Sequence, residues 1–415
     1  MSPFNISAMA ALAAVAALLA GAPAQGAQLL VSSSAPGAVV RYDTATGAAV
    51  AIVAPGSGGL TTPDGVRVGP DGRLYVCSER GARVLRFDLA TGAYLGDFVP
   101  VHSGGLFQCE DLVFGPDGDL YITHPPGNQV LRYHGDTGAF RDVFVAAGSG
   151  GLKNPSGLTF GPGGDLFVSS TDSSQVLRYD GVTGAFRSTF VAAGGGGLSR
   201  PVGLAFGPGG DLFVSSLDTD QVLRYDGATG AFRAVFVASK AGGLNGAYDL
   251  AFGPDGDLYV VSFVSSQVLR FDGATGAFRD VLGSGGPLSL PTYLAFVPPS
   301  PCVAGPQTLC LLGNRFAVTA SWSTAQGLSG AAQAVSLTGD TGYLWFFSAA
   351  NVEAIVKVLD GCGVGGHYWV FAGGLTDVAV TTTVTDTRTG AFKTYRSTQG
   401  TPFAPLQDTS AFPCP

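Results

Sequence analysis

Side chains capable of acid–base or metal chemistry gather on three consecutive loops in the first third of the chain. They are Cys77, Glu79 and Arg80 on the first loop, His102, Cys109, Glu110 and Asp111 on the second, and His124 on the third. Imidazole and thiolate groups are ligands that Zn²⁺ prefers, and a carboxylate near an imidazole can act as an acid–base set. His124 and Glu110 are therefore the candidates for catalysis.

The two cysteines of this group also have a purely structural interpretation. A disulfide between Cys77 and Cys109 would fasten neighbouring structural units together, with the polar side chains around it simply solvated. The chain lacks the short Cys and His spacings of a zinc motif. We favour the disulfide and keep the zinc site as the alternative.

A second group of polar residues lies where one recurring type of strand begins. Asp64, Asp111 and Asp249 belong to it, together with Glu110, Tyr248 and Tyr293. Asp111 and Asp249 share a position at which related segments have Gly65, Gly157, Gly203 and Tyr293. The carboxylates of Asp111 and Asp249 could hold Ca²⁺ or another divalent cation, since hard cations take oxygen ligands. The structural alternative is a set of hydrated acids, with no cofactor at all.

A repeat of about 46 residues positions both groups. Thr-Gly pairs end at Gly47, Gly92, Gly138, Gly184, Gly230 and Gly276. A period of this length is typical of solenoids and propellers. One unit, FGPDGDLYVVSFVSSQVLRFDGATGAFRDVL at residues 252–282, contains Gly-Pro-Asp-Gly and Asp-Gly-Ala-Thr-Gly turns between short β-branched and aromatic runs. Four short antiparallel strands per unit predict a propeller blade.

The ends of the repeat region predict how the ring closes. A second-strand segment, Leu29–Ser33, comes before any first strand, and the last first-strand segment, Leu294–Pro298, has no strands after it. One blade must therefore combine both ends, which leaves no exposed sheet edge. The fold class predicted for residues 28–299 is an all-β, six-bladed β-propeller with terminal strand closure.

The pattern P-x-G-L-x-F-G-P-x-G-D-L-[FY]-V-x-S-x(5)-Q-V-L-R-[YF]-D resembles the NHL-repeat class of propeller. Six-bladed relatives of that class include the gluconolactonase and streptogramin B lyase families. The first resemblance implies a divalent cation held by carboxylates and an asparagine at the channel mouth, for which Asp111 and Asp249 with Asn154 or Asn245 are the candidates. The second resemblance implies a catalytic histidine at the channel, for which His124 is the candidate. Because propellers host many unrelated functions, the resemblance predicts the fold more specifically than the activity.

Residues 1–27 have the composition of a signal peptide, with an apolar run from Met9 to Ala22 and an Ala-Pro-Ala cleavage pattern. Six cysteines are compatible with an oxidising compartment, so we expect a secreted or periplasmic protein with no transmembrane segment after cleavage. Cys302 with Cys310, and Cys362 with Cys414, are the favoured pairs beyond the propeller. The net charge of −8 argues against nucleic-acid binding.

The repeat disappears after a Pro-rich boundary at residues 298–306, and residues 300–415 predict a β-sandwich domain with six or seven strands. Trp345, Tyr368 and Trp369 could form a carbohydrate- or peptide-binding face. Core packing is the favoured role, because aromatic side chains dominate the interiors of sandwiches. This part of the chain resembles a module of secreted bacterial proteins, and that resemblance implies no activity.

The leading functional hypothesis is a binding scaffold for an extracellular protein, peptide or glycan, because the blades are nearly identical and only one sector departs from the repeat. Its candidate ligand-binding residues are Asp64, Glu110, Asp111, Tyr248, Asp249 and Tyr293. The alternative is a metal-dependent, lactonase-like hydrolase or a lyase whose site lies at the channel mouth.

Overall fold

The computed structural model of the protein describes residues 27–298, 302–387 and 392–414. The predicted signal peptide, apart from residue 27, lies outside the described residues, as do residues 299–301 at the predicted domain boundary. Within the described residues, no helix has the length and apolar composition needed to cross a bilayer.

Residues 28–296 form six antiparallel sheets of four strands each. Their strands are β1 (Gln28–Ser33), β2 (Ala38–Asp43), β3 (Ala49–Val53), β4 (Pro63–Val68), β5 (Leu74–Ser78), β6 (Arg83–Phe87), β7 (Tyr94–Val99), β8 (Leu112–Phe114), β9 (Leu120–His124), β10 (Gln129–Tyr133), β11 (Phe140–Val145), β12 (Pro155–Phe160), β13 (Leu166–Ser170), β14 (Gln175–Tyr179), β15 (Phe186–Val191), β16 (Pro201–Phe206), β17 (Leu212–Ser216), β18 (Gln221–Tyr225), β19 (Phe232–Val237), β20 (Ala247–Phe252), β21 (Leu258–Ser262), β22 (Gln267–Phe271), β23 (Phe278–Ser284) and β24 (Pro291–Phe296).

The six sheets are arranged in a closed ring. The first strands β4, β8, β12, β16, β20 and β24 each contact the first strand of the next sheet, and β24 contacts β4 again. Five sheets are continuous in sequence, whereas the sixth has the order β24-β1-β2-β3. In that sheet Val31 pairs with Leu294, so the two ends of the region share one sheet.

Aromatic side chains from the second strand of one sheet pack on the first strand of the next. The ring pairs Phe167–Phe206 and Phe213–Phe252 have centroids 5.1 and 4.9 Å apart and meet edge to face. Such pairs are worth roughly 0.5–1.5 kcal/mol each beyond the area they bury. The contact recurs between sheets because it occupies a fixed position in the repeat, which gives the ring a uniform interior.

Five of the loops that join one sheet to the next, and the loops that follow the second strands β9, β13 and β17, contain 3-10 turns that the sequence did not predict. They span Ser57–Gly59, Ser103–Gly105, Pro125–Gly127, Ser149–Gly151, Thr171–Ser173, Gly195–Gly197, Leu217–Thr219 and Ala241–Gly243. A glycine with positive φ sits inside each turn between sheets, as at Gly196 with φ 66°. A side chain there would meet the ring of Phe232, so the position requires glycine on both grounds.

The remaining described residues form two five-stranded sheets that share one hydrophobic core cluster. Their elements are β25 (Leu309–Leu311), β26 (Phe316–Ser323), β27 (Ser329–Ala331), β28 (Gln333–Ser336), β29 (Thr341–Trp345), β30 (Ala354–Gly361), α1 (Cys362–Gly365), β31 (His367–Gly374), β32 (Ala379–Asp386), β33 (Phe392–Arg396) and β34 (Leu406–Pro413). These ten strands exceed the six or seven predicted, because several are only three to five residues long.

All three predicted disulfides are confirmed: Cys77–Cys109, Cys302–Cys310 and Cys362–Cys414. Core packing, the role favoured for Trp345, Tyr368 and Trp369, is observed for Tyr368. Tyr368 is buried in the core and its hydroxyl accepts a hydrogen bond from Arg315, whereas Trp369, the next residue along β31, points to the other side of the sheet.

Candidate functional site

A cleft of about 280 Å³ opens on the face of the ring where the loops between sheets meet the loops that follow second strands. It is lined by Ser34, Ala35, Thr62, Asp64, Glu79, Arg80, Glu110, Tyr248, Phe263, Leu290 and Thr292. Asp64, Glu110 and Tyr248 were predicted as ligand-binding residues, and the structure brings these three together. They come from three different sheets of the ring.

Three carboxylates converge in the cleft. Oxygen atoms of Asp64, Glu79 and Glu110 all lie within 4.8 Å of one another. Asp64 is in β4, Glu79 follows β5, and Glu110 precedes β8. Asp64 and Glu110 are buried, and the neighbouring charges acting on both groups are those of other carboxylates. Arg80 also lines the cleft, but none of the three acids forms an ion pair with it or with another cationic side chain of the described residues.

This environment makes both buried acids hard to ionise. Burial, followed by repulsion from Glu110 and Glu79, raises the pKa of Asp64 well above its usual range. Burial raises the pKa of Glu110 to about 7, although hydrogen bonds from two tyrosine hydroxyls act in the opposite direction. Each of these carboxylates would be stabilised by any cation that entered the cleft.

Aromatic and amide side chains fix the position of Glu110. The Tyr248 hydroxyl donates to Glu110 Oε1 at 3.0 Å, and the Tyr293 hydroxyl lies 3.4 Å from the same oxygen. Gln108 Nε2 donates to Glu79 Oε1 at 2.8 Å and lies 3.5 Å from Glu110 Oε2. The ring of Tyr248 stacks on that of Phe263 with centroids 5.4 Å apart. One wall of the cleft is therefore aromatic and the opposing floor is acidic.

Asp111, immediately before β8, occupies a different environment, buried between the first strands of neighbouring sheets. Its Oδ2 accepts a hydrogen bond from Arg67 at 3.2 Å and another from the backbone amide of Leu158 at 3.4 Å. Its Oδ1 accepts from the amide of Leu112 at 2.8 Å. The carboxylate thus links β8 to β12, the first strand of the next sheet, and neutralises Arg67.

Asp249 repeats this arrangement in another sheet. Its Oδ2 accepts a hydrogen bond from the backbone amide of Leu294 at 3.0 Å. Burial raises the pKa of Asp249 to about 7, against the influence of Arg67. Asp111 and Asp249 thus have specific protein partners in this structure, and the carboxylates that lie within reach of a single ion are Asp64, Glu79 and Glu110. The metal role predicted for Asp111 and Asp249 stays a prediction.

The zinc alternative for the first group of residues is wrong, because the sulfur atoms of Cys77 and Cys109 are bonded to each other. His124 is buried, its Nε2 accepts the backbone amide of Phe107 at 3.3 Å, and its Nδ1 lies 3.2 Å from Gln129 Nε2. Burial lowers its pKa. His124 does not line the cleft, and in this geometry it braces the loop that carries Phe107.

Glu79 and Phe263 line the cleft and Arg67 pairs with Asp111, yet none of these three residues was predicted to bind a ligand. Glu79 was noted but not included among the ligand-binding residues, and Phe263 and Arg67 were not considered. Arg67 could have been found from the sequence, because it replaces the small or apolar residues that the other units have at its repeat position. These are Val113, Thr159, Ala205, Ala251 and Ala295. The same comparison would have marked Phe263, which stands where other units have Thr171 or Ser34.

Similar solved structures identify the fold of the ring. A chain of a nidogen/laminin complex superposes with a TM-score of 0.55 at 16% identity, covering 66% of this chain and 98% of that chain. This ring is a β-propeller. A streptogramin B lyase is similar at 15% identity (TM-score 0.39, covering 51% of this chain and 66% of that chain). A virginiamycin B lyase from Staphylococcus aureus, crystallised with quinupristin, is similar at 13% identity (TM-score 0.40, covering 68% and 91%).

No protein-family model matches the chain, and no curated protein matches it. The structural similarity establishes the propeller fold and leaves the function of the cleft to be argued from its own residues.

Proposed function

We propose that the protein is a secreted six-bladed β-propeller, followed by a β-sandwich domain, that binds an extracellular protein or peptide through the cleft on the ring face. The observation that carries the proposal is the convergence of Asp64, Glu79 and Glu110 in a recessed, partly aromatic cleft. Buried acids that form no ion pair cost folding free energy, and a complementary ligand would recover part of it.

The position of the cleft within the repeat supports a binding role. Glu79 stands where other units have Pro125, Thr171 or Leu217, and Glu110 stands where they have Ser156 or Val202. The remaining units keep the uniform turns and aromatic contacts that hold the ring together. Departures from an otherwise regular scaffold are therefore concentrated at the cleft, as expected for a rigid ring that presents one specific site.

Extracellular location is supported by three disulfides in a chain with no free cysteine among the described residues. We favour a protein or peptide over a glycan because the floor of the cleft is acidic, whereas neutral sugars are held mainly by stacked aromatic rings and neutral hydrogen-bonding groups.

A display selection tests this proposal. Random peptides on phage are selected against the immobilised full-length protein, and a glycan array is probed in parallel with the wild type and with Asp64→Asn/Glu110→Gln. We expect peptides that bind the wild type and lose at least about tenfold in affinity to the double variant, a change of about 1.4 kcal/mol. Pocket-dependent glycan binding, or peptide binding that ignores the double substitution, contradicts the proposal.

A second candidate function is a lactonase-like hydrolase or lyase that uses a divalent cation in the same cleft. Three carboxylates with converging oxygens suit a hard cation such as Ca²⁺, which would act there as a Lewis acid. Metal analysis of the purified protein distinguishes the two. One equivalent of a divalent metal, lost in Asp64→Asn/Glu110→Gln and retained in Asp111→Asn, would favour the enzyme.

A further inference from the structure

We infer that the cleft receives the cationic side chain of a lysine or arginine carried by the extracellular protein or peptide, an assignment that rests on the proposed function. Three features of the described residues lead to it: an acidic floor whose carboxylates form no ion pair, an aromatic wall, and an apolar rim whose most exposed member, Phe107, replaces the polar residues of the other units.

The floor matches a single organic cation. Asp64, Glu79 and Glu110 offer carboxylate oxygens to one point in space, and Gln108 and the two tyrosine hydroxyls orient Glu110 toward it. A guanidinium or ammonium group has only hydrogen-bond donors, which carboxylate oxygens accept. A cation bound there replaces repulsion among the acids with attraction.

The wall suits the shape and charge of the same group. Tyr248 and Phe263 are stacked at an interplanar angle of 30° and both line the cleft. A cation within about 6 Å of an aromatic face is attracted by the ring quadrupole, and arginine also stacks on such faces. A volume of about 280 Å³ lies just below the range of small-molecule pockets, about 300–1,000 Å³, so it admits one side chain.

The rim indicates that this side chain belongs to a larger molecule. Phe107 is 65% exposed and adjoins Gln108, which bonds the acids of the floor. Val264, beside Phe263, is 57% exposed, and Leu290 on the cleft wall is 39% exposed. Positions equivalent to Phe107 in the other units are polar: Thr61, Lys153, Ser199, Asn245 and Ser289. Apolar and aromatic side chains around a charged anchor are the composition of a protein-binding hot spot.

Arg80 is the one cationic side chain that lines the cleft, and it is exposed. Because its positive charge lines the same cleft, it would repel an incoming cation. Removing it by Arg80→Ala should therefore strengthen binding of a cationic probe, which provides a variant with the opposite expected sign.

The test uses N-acetyl-arginine amide, N-acetyl-lysine amide and N-acetyl-citrulline amide as probes on the whole protein, with affinities measured by ligand-observed NMR titration. Citrulline has the shape of arginine without its charge. We expect arginine or lysine to bind at least about tenfold more tightly than citrulline. Glu110→Gln and Asp64→Asn should each remove that preference, and Asp172→Asn, an exposed acid on the same face in another sheet, should preserve it.

Phe107→Ser, which introduces the residue found at the equivalent position 199, should weaken a selected basic peptide while leaving the amino-acid amides unaffected. Circular dichroism confirms that each variant is folded. Equal binding of citrulline and arginine overturns the cation assignment, and so does stronger, pocket-dependent binding of CaCl₂ alone. If neither cationic amide binds while the display selection still returns pocket-dependent neutral peptides, the assignment fails and the proposed function stands.

Discussion

Cys77 and Cys109 form a disulfide that fastens together the two segments carrying the acids of the cleft. Glu79 lies two residues beyond Cys77, and Glu110 is the next residue after Cys109. Both cysteines are buried between two neighbouring sheets of the ring. The bond therefore stabilises the ring and at the same time holds Glu79 and Glu110 close to each other.

Replacing this disulfide by Cys77→Ala/Cys109→Ala should lower the free energy of unfolding by about 2–4 kcal/mol, because it frees a long loop of the unfolded chain. It should also weaken binding in the cleft. The matched control is Cys302→Ala/Cys310→Ala, which removes a disulfide outside the ring. Denaturant unfolding and probe titration check both effects, and an equal loss of binding in the two double variants would contradict the positioning role.

Glycine at position 203 is required by the acid of the next sheet. A Cβ atom added to Gly203 would lie 2.5 Å from Asp249 Oδ1 and 2.7 Å from its Cα, although the backbone itself has ordinary φ. Gly203→Ala should therefore destabilise the ring by about 2 kcal/mol or more through overpacking.

The control for this substitution is Gly209→Ala in the turn between β16 and β17, where an added Cβ has nothing within 4 Å. We expect its thermal midpoint to stay close to that of the wild type, while Gly203→Ala falls well below it. Equal midpoints for the two variants would show that β16 and β20 can separate without cost.

The repeat made most of the ring predictable. Turn glycines and prolines, the alternation of short strands, and the orphan strand segments near Leu29 and Leu294 identify the propeller and its closure, because each unit obeys the same local rules. The disulfides followed from the small number of cysteines and their separations.

The cleft was harder to predict because it depends on contacts between sheets. Asp111 and Glu110 are consecutive, yet one carboxylate bonds Arg67 and the other bonds Tyr248, more than a hundred residues away. The repeat position of a residue indicates which strand it belongs to, but it indicates neither the rotamer of the side chain nor its hydrogen-bond partner. Only the packed structure separates the acids that join strands from those that face the cleft.

Stability should fall as the pH rises from about 5 to about 8. Burial raises the pKa of Asp249 and of Glu110 to about 7, whereas carboxyl groups of an unfolded chain titrate near 4. In this interval the native state holds protons that the unfolded chain has released, so the free energy of unfolding decreases with pH. His124 has the opposite effect below about pH 6.5. Because burial lowers its pKa in the native state, the unfolded chain binds the proton more readily, and this group makes the free energy of unfolding increase with pH.

The contribution of one acid is isolated by comparing the wild type with Asp249→Asn in denaturant unfolding at several pH values. The variant should lose stability less steeply between about pH 5 and about pH 8, since it has one proton fewer to release. Asp172→Asn should keep the slope of the wild type. A difference between wild type and Asp249→Asn that does not change with pH would contradict the raised pKa.

Arg67 should be more important for stability than any exposed arginine of the ring. Its guanidinium donates to buried Asp111 and to the carbonyl oxygen of Leu294, so Arg67→Met leaves a buried carboxylate without its cation. Removing one partner of such a pair costs about 3–5 kcal/mol. Arg73→Met, which breaks an exposed pair with Asp71, should cost no more than about 1 kcal/mol.

Adding Asp111→Asn to Arg67→Met should restore part of the lost stability, because the uncompensated charge disappears. Denaturant unfolding of the wild type, the two single variants and the double variant measures this coupling. Additive effects of Arg67→Met and Asp111→Asn would mean that the two side chains act independently. The ion pair would then not hold the first strands of neighbouring sheets together.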